Sequence, residues 1–455
     1  MALLVAVAVV SVQMAVKRAD PLQPDERTYL AIIDTLTRTG VYGDGDMTAA
    51  GVAGKPGRFI APAYPLMVSA LAKLDSGLPA KLACLAKSER KALRTSCGRL
   101  WSLDALQIGI AAIGMAAVFA IAHIVSGSLT VAWGSLLIAL ATGESATYAR
   151  LLLTDTLATT AFYLFLAALV ALVGRDRAWL AATAGAAAGL ATLARPGYAY
   201  LLYATTVAVL ALALLRSRVP TALRPHHAFV LLAAGLAVIA PWLLRNQLTF
   251  GDAALTAGYG ALALGQRVAY NAMTWSEWGA AWIFWLPDVG DDISRVLFKP
   301  ETTHRLGFYA PDTFYQVGNG ALHATTLAAA GSEQNHLGYL IRHHVVGDLP
   351  KHVAVTLALA WRGMWAGKWL GVIALVLAWP VLRELIRHRG FAPLAALALP
   401  LLFMLGLHAF VSVNIVRYNV PMIALYSLIV ALAAVDLWQR LAAWRGERNQ
   451  PEAAT

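Results

Sequence analysis

The sequence predicts an all-α, polytopic membrane protein: a transmembrane helical bundle of about ten spans with extracytoplasmic loops and interfacial amphipathic helices. Three observations carry this. Of 455 residues, 59% are hydrophobic and only 13% charged, against roughly a quarter charged in an ordinary soluble domain. Several apolar runs reach about 18 residues or more, enough to cross a hydrocarbon core of roughly 30 Å as helices. The period-two alternation of strands is absent. The formal charge of +11 gathers largely in short loops between apolar runs, so topology explains it better than a nucleic-acid partner. No nucleic-acid module, P-loop or dinucleotide fingerprint accompanies it, and no nucleotide cofactor is expected.

The expected spans are 1 to 16, 101 to 125, 128 to 146, 150 to 173, 178 to 194, 197 to 215, 228 to 246, 369 to 386, 392 to 412 and 418 to 437. The first reads as a short span rather than a cleaved signal, because no basic residues precede its apolar stretch and no small-residue cleavage site precedes Lys17. Within the fifth, "GAAAG" from Gly185 to Gly189 is a small-xxx-small pattern suited to close helix packing. Ten alternating crossings put four basic clusters on one side: Arg175 and Arg177; Arg216, Arg218 and Arg224; Arg383, Arg387 and Arg389; Arg440, Arg445 and Arg448. The positive-inside rule makes that side cytoplasmic. The chain then divides into an N-terminal transmembrane module, 1–246, with a first outer loop at 17–100; an extracytoplasmic loop, 247–368; C-terminal spans, 369–437; and a polar cytoplasmic tail, 438–455. A bacterial inner membrane fits this plan. The stretch 80 to 100 is basic yet falls outside, a departure that long loops tolerate.

The outer loops carry further signals. Cys84 and Cys97 are the only cysteines; an oxidising compartment would allow a bridge, and the spacing leaves a bridge and two free thiols both open. Trp275, Trp278, Trp282 and Trp285 share one helix face, as do Trp361, Trp365 and Trp369. Helices of this kind are expected to lie flat in the headgroup layer, either as anchors or as a wall of a lipid groove. Glu333, His336, His343 and His344 offer metal-type ligands but no complete set, and read as a wet interfacial helix. "YGDGDM", 42 to 47, lacks the closing glutamate of a calcium loop and reads as a turn.

On this topology the unusual polar residues meet at the outer leaflet. Asp25 and Glu26 follow the first span, and Glu144, Arg150 and Asp155 surround the turn between the third and fourth. Arg195 caps the fifth, Arg245 and Asn246 close the seventh, and Arg417 with Tyr418 opens the tenth. Taken singly, an arginine at a helix end snorkels and an aspartate caps. Asp155 follows Leu151 to Leu153 in an apolar run, where an ionised carboxylate costs about 2.5 kcal/mol or more, so it needs a partner. Carboxylates beside arginines suit sugar transfer from a lipid phosphate: a base takes the acceptor's proton, and cations or a divalent metal stabilise the departing phosphate.

The stretches "DERTYLAI" after the first span, "APAYPLMVSAL" at 61 to 71, "ARLLLTDTLAT" at 149 to 159, "GLATLARPGYAYL" at 189 to 201, "PWLLRNQLTFGD" at 241 to 252 and "VRYNVPMIAL" at 416 to 425 run along most of the chain. In that order on a ten-span frame they resemble the GT-C superfamily of integral membrane glycosyltransferases, in the branch of protein O-mannosyltransferases and lipid A aminoarabinose transferases. The resemblance implies a hexosyl- or pentosyltransferase that uses a polyprenyl-phosphate sugar outside the cytoplasm, inverts by direct displacement, and serves a glycolipid, glycan or protein acceptor. It implies Asp25 as the general base, Glu26 as the second acid of the pair, and Asp155 as organiser of the site or of a metal held by Asp25 and Asp155. Arg58, Arg150, Arg195, Arg245 and Arg417 are the expected donor-phosphate ligands, and Tyr29, Tyr64 and Tyr418 the expected lining of a substrate groove. One departure is that Ile60 and Ala61 stand where several relatives carry a lysine, with Arg58 as a substitute. No large soluble C-terminal domain is expected either. The competing expectations are a transporter or lipid-linked sugar flippase, whose acids would sit nearer the midplane in repeated halves, and a catalytically silent relative serving as a scaffold.

Overall fold

Each expected span is helical in the computed structural model, which describes residues 1–16, 21–43, 54–89, 92–215 and 221–448. Arg216, Arg218, the side chains of Arg445 and Arg448, the tail beyond 448 and the 42 to 47 turn past Gly43 lie outside the described residues. The first span is α1 (Ala2–Val16). The first outer loop folds as α2 (Pro24–Thr39), α3 (Ala63–Leu74) and α4 (Leu78–Lys87). The bundle continues through α5 (Trp101–Ser126), α6 (Leu129–Ala141), α7 (Glu144–Ala149), α8 (Asp155–Gly174), α9 (Ala178–Ala194), α10 (Tyr198–Leu214) and α11 (Pro225–Phe250). The second outer segment is built from short helices: α12 (Tyr259–Val268), α13 (Trp275–Phe284), α14 (Gly290–Leu297), α15 (Pro300–Thr303), α16 (Phe314–Asn319), α17 (Ala321–Ala330), α18 (Glu333–Leu340) and α19 (Leu349–Gly363). Last come α20 (Trp369–Arg389), α21 (Phe391–Val411) and α22 (Ile423–Arg448).

Among the described residues, 6 helices are long and apolar enough to cross a membrane. The other expected spans, α1, α6, α9 and α10, are shorter apolar helices. The third expected span breaks early because Gly143 takes a left-handed φ of 69° and ends α6; Thr142 Oγ1 then accepts the Glu144 N–H at 3.3 Å and starts α7. The fourth begins at Asp155, later than expected, since 150–154 is not helical. Of the long spans α8 is the most enclosed, nearly all of it buried, and it packs against α5, α9 and α21. The small-xxx-small stretch packs as expected: a Cβ at Gly185 would collide with the Leu231 carbonyl of α11, and one at Gly189 would stand 2.7 Å from the Gly235 oxygen.

Both outer segments have cores of their own. In the first, Leu30, Ile33, Tyr64, Val68, Leu78, Leu82 and Leu85 pack beneath Leu103 and Leu152, and Cys84 and Cys97 are joined as a disulfide with Cα atoms 5.9 Å apart. In the second, most of the tryptophans do not lie open in the headgroup layer. Ring centroids are 5.4 Å apart for Trp278 and Trp282, 5.3 Å for Trp282 and Trp361, and 4.5 Å for Trp361 and Trp365. The two stripes satisfy each other because mutual packing buries large aromatic area; Trp275 and Trp369 remain exposed. Arg267 of α12, fully buried, fastens this segment to the bundle. It donates to the carbonyls of Ala409 at 2.7 Å and His352 at 2.8 Å, to Thr356 Oγ1 at 2.9 Å and to Asn271 Oδ1 at 3.0 Å.

Candidate active site

The first turn of α2 is written by "QPDE". Pro24 suits the opening helical position, where its missing N–H is no loss, and Asp25 and Glu26 lie where the helix dipole favours anions. Glu26 is 2% exposed; one carboxylate oxygen accepts the Gln23 N–H at 2.7 Å and the other the Leu152 N–H at 2.8 Å. Burial pushes its carboxyl up, against the pull of those two backbone bonds. Asp25 turns outward, its side chain 52% exposed, and accepts a hydrogen bond from the Arg417 guanidinium.

Asp155 opens α8 and is 3% exposed. Its partner is Arg195, the residue that ends α9, at 2.5 Å. Arg195 also reaches Thr154 Oγ1 at 3.4 Å and lies over the Tyr418 ring at 5.1 Å. Arg417 and Tyr418 sit on a 3-10 turn, Val416–Met422, ahead of α22. Asn414 makes the approach with a φ of 47°, a conformation asparagine tolerates better than most residues. It is held by donating to the Leu359 carbonyl and accepting from Asn419 Nδ2, both at 2.7 Å. Two aspartate–arginine pairs thus come from separate elements: α2 with the turn before α22, and α8 with the end of α9.

Tyrosines surround these pairs. Tyr29 lies one helical turn beyond Asp25, edge-on to Tyr64 at 5.8 Å. Burial raises its hydroxyl to about 12, with a Thr154 hydrogen bond opposing. Tyr259 of α12 is raised too, first by the neighbouring Tyr418 and then by burial. Glu144, in the first turn of α7, lines a small cavity with Tyr148, Thr156 and Tyr163.

Other sequence-predicted residues stand apart. Arg58 pairs with Asp252 and lies 4.5 Å over the Phe250 ring. Arg245 donates to the carbonyls of Gly57 at 2.8 Å and Tyr42 at 3.2 Å, and to Asn246 Oδ1 at 2.8 Å. Both arginines fasten the first outer loop to the end of α11. Arg150 lines a cleft of about 650 Å³ between α1 and α5, beside Arg94, Arg99 and Asp104, which Glu26 also lines. Tyr64 is a correction: it is 1% exposed within the first-loop core, its hydroxyl taken by Gln107 Nε2 at 3.0 Å, so it presents no face to a groove.

The expected metal ligands do not fit a divalent ion. Asp25 and Asp155 each accept from a guanidinium, so a cation between them would face two positive groups. The Glu333 and histidine set does not gather either: His336 is buried and bonded to Thr326 Oγ1 at 2.8 Å. Among the described residues, Asp176, His226 and His227 come together, but beyond the other end of α8, about 30 Å away along a helix of 20 residues. There His227 Nδ1 accepts the Arg224 N–H at 3.1 Å, which leaves the proton on Nε2 and removes it as a ligand.

Sequence reasoning missed Arg94, Gln107 and Tyr259. Gln107 was detectable as an amide inside the apolar α5, where a polar group needs partners. Arg94 belongs to the basic stretch that ran against the charge rule, and its pairing with Asp104 at 2.6 Å gives part of that stretch a structural role.

No protein-family model matches the chain, and no curated protein matches it. Among solved structures, the archaeal oligosaccharyltransferase AglB from Archaeoglobus fulgidus, in complex with an inhibitory peptide and a dolichol-phosphate, superposes with a TM-score of 0.50 and 12% identity, covering 100% of this chain and 52% of AglB. The chain therefore spans about half the length of that protein. ArnT from Cupriavidus metallidurans bound to undecaprenyl phosphate gives a TM-score of 0.42 and 13% identity over 95% of this chain and 77% of ArnT. Its apo state gives 0.37 and 14% over 94% and 76%. The likeness to AglB is one of fold: over its whole length the chain shares the polytopic, all-helical architecture of that membrane protein.

Proposed function

We propose that the protein is a membrane glycosyltransferase that moves a sugar from a polyprenyl-phosphate donor to a glycolipid, glycan or protein acceptor on the extracytoplasmic face. The convergence of Asp25–Arg417 with Asp155–Arg195 carries the reading. It supplies a half-exposed carboxylate able to take a proton, and two arginines able to hold a phosphate. The dolichol-phosphate in the AglB structure is a lipid of the proposed donor class. The outer orientation is supported by the disulfide, which suits an oxidising compartment, and by the basic loops on the opposite side.

The chemistry is a single displacement. In the resting site Arg417 is engaged by Asp25. A donor phosphodiester offers that guanidinium a second anionic, bidentate partner, and its arrival frees Asp25 to act as base. Asp25 takes the proton of the acceptor hydroxyl as the hydroxyl oxygen attacks the anomeric carbon. The bond from that carbon to the phosphate oxygen breaks, the configuration inverts, and polyprenyl phosphate departs with its charge stabilised by Arg417 and Arg195. Asp155, held in place, keeps Arg195 aimed.

The test uses purified protein in detergent, where transport has no meaning, with radiolabelled polyprenyl-phosphate hexoses and pentoses and candidate acceptors. Labelled product, lost in Asp25→Asn, supports the transferase. Full transfer in both Asp25→Asn and Asp155→Asn removes the mechanism.

A further inference from the structure

Residues 150–154 leave the helical path just ahead of Asp155, yet 151–154 are buried. Backbone polar groups buried outside a helix must find partners elsewhere. Here three successive residues find side chains. Arg94 Nη1 donates to the Arg150 carbonyl. Gln107 Nε2 donates to the Leu151 carbonyl at 2.8 Å. The Leu152 N–H donates to Glu26 Oε1 at 2.8 Å. These side chains come from the loop before α5, from α5 and from α2, and the first two brace each other: Arg94 also reaches Gln107 Oε1 at 3.3 Å and Asp104 Oδ1 at 2.6 Å. Gln107, 1% exposed, spends its amide protons on Leu151 and Tyr64.

The consequence lies in where this bracing is attached. Glu26 adjoins Asp25 in the chain, and Leu152 precedes Asp155 by one short turn. The two aspartates bind their own arginines, whereas Glu26 ties the two backbones that carry them. Its chemistry is specific to the task. Two N–H donors, from Gln23 and Leu152, need two acceptor oxygens; a carboxylate supplies both, while an amide supplies one and turns an NH₂ against the other donor. We infer that Glu26, backed by Gln107 and Arg94, is a positioning residue that sets the separation of Asp25 and Asp155, and that it is not a base in the reaction. The inference rests on the proposed function for its catalytic meaning but not for its geometry.

Hydrogen exchange on the full-length protein in detergent tests the geometry without any ligand. Glu26→Gln and Gln107→Leu should each raise exchange across 150–154 by about tenfold or more, with α8 still protected; unchanged exchange in both overturns the inference. In transfer from a radiolabelled polyprenyl-phosphate sugar, both variants should lower kcat by up to about 100-fold, with donor KM nearly constant and the acid limb of the kcat–pH profile retained. Loss of that limb in Glu26→Gln would make Glu26 the base, and a raised KM at full kcat would make it a donor ligand; either sinks the proposal. If Glu26→Gln fails to fold, Gln107→Leu carries the test. Should the parent protein form no labelled product, the transferase reading fails while the exchange result stands; should Asp25→Asn transfer sugar normally, Asp25 is not the base.

Discussion

Cutting the two aspartate–arginine pairs should give opposite results, because water reaches Asp25 and not Asp155. The Asp155 side chain is 3% exposed and Arg195 19%; Asp25 is 52% exposed and Arg417 21%. Opposite charges about 4 Å apart interact by about 4 kcal/mol at an effective dielectric of about 20, and stranding one partner of a buried pair costs about 3–5 kcal/mol. Asp155→Leu should therefore lower unfolding free energy by about 3–5 kcal/mol, and Arg195→Leu by a similar amount. The double replacement leaves no orphaned charge and should cost less than either single one, which requires a coupling of at least about 3 kcal/mol. For Asp25→Asn, solvent screening reduces the change to about 1 kcal/mol or less, while sugar transfer disappears. The assay is equilibrium unfolding in mixed micelles followed by tryptophan fluorescence, alongside the transfer assay on the same preparations. Additive losses at Asp155 and Arg195, or an Asp25→Asn protein as unstable as Asp155→Leu, would refute the view that the Asp155–Arg195 pair carries stability as well as chemistry and the Asp25–Arg417 pair chemistry alone.

Acid should weaken the second outer segment. His352 is buried, accepting from Asn271 and donating to the Phe410 carbonyl at 2.9 Å; burial, then the charge of Arg267, lowers its pKa from 6.5 to about 4. The folded state binds fewer protons, so this stability is complete above about pH 6.5 and falls as pH drops toward about 4, by up to about 3 kcal/mol. Unfolding measured at pH 7 and pH 4.5 should show that slope in the parent and lose it in His352→Gln. Cys84→Ser should cost about 3 kcal/mol, the loop entropy of a separation of 13 residues, and reductant should lower the parent's melting temperature to match. Gly185→Ala should destabilise by about 1–3 kcal/mol, since α9 and α11 must part to admit the methyl group; a detergent melt checks it, and an unchanged melt would contradict the contact with Leu231.

The bundle was legible because apolar length is a local property: every run from α1 to α22 announced itself. The breaks were harder. Gly143 and the departure at 150–154 depend on which side chains wait to receive the backbone, and Gln107 lies 44 residues from the Leu151 carbonyl it meets. The same holds at the candidate site. Asp25 and Asp155 stood out as acids beside apolar runs, but nothing local said that Arg195 and Arg417 would turn to them while Arg58 and Arg245 turned to Asp252 and Gly57. The tryptophan stripes show the limit most plainly, for helical spacing gives the face and says nothing of what covers it. Here the two stripes meet each other at Trp282 and Trp361.

Arg267 has a bearing on how a substrate arrives. Three of its hydrogen bonds, to Asn271, His352 and Thr356, stay within the second outer segment, and the fourth runs to the Ala409 carbonyl near the end of α21, so swinging the segment away as a flap would break that one buried, charge-assisted bond. On the proposed function, a donor with a long hydrocarbon tail would not need that bond to break: its tail can stay between the lipids while its polar end reaches Asp25 from the side.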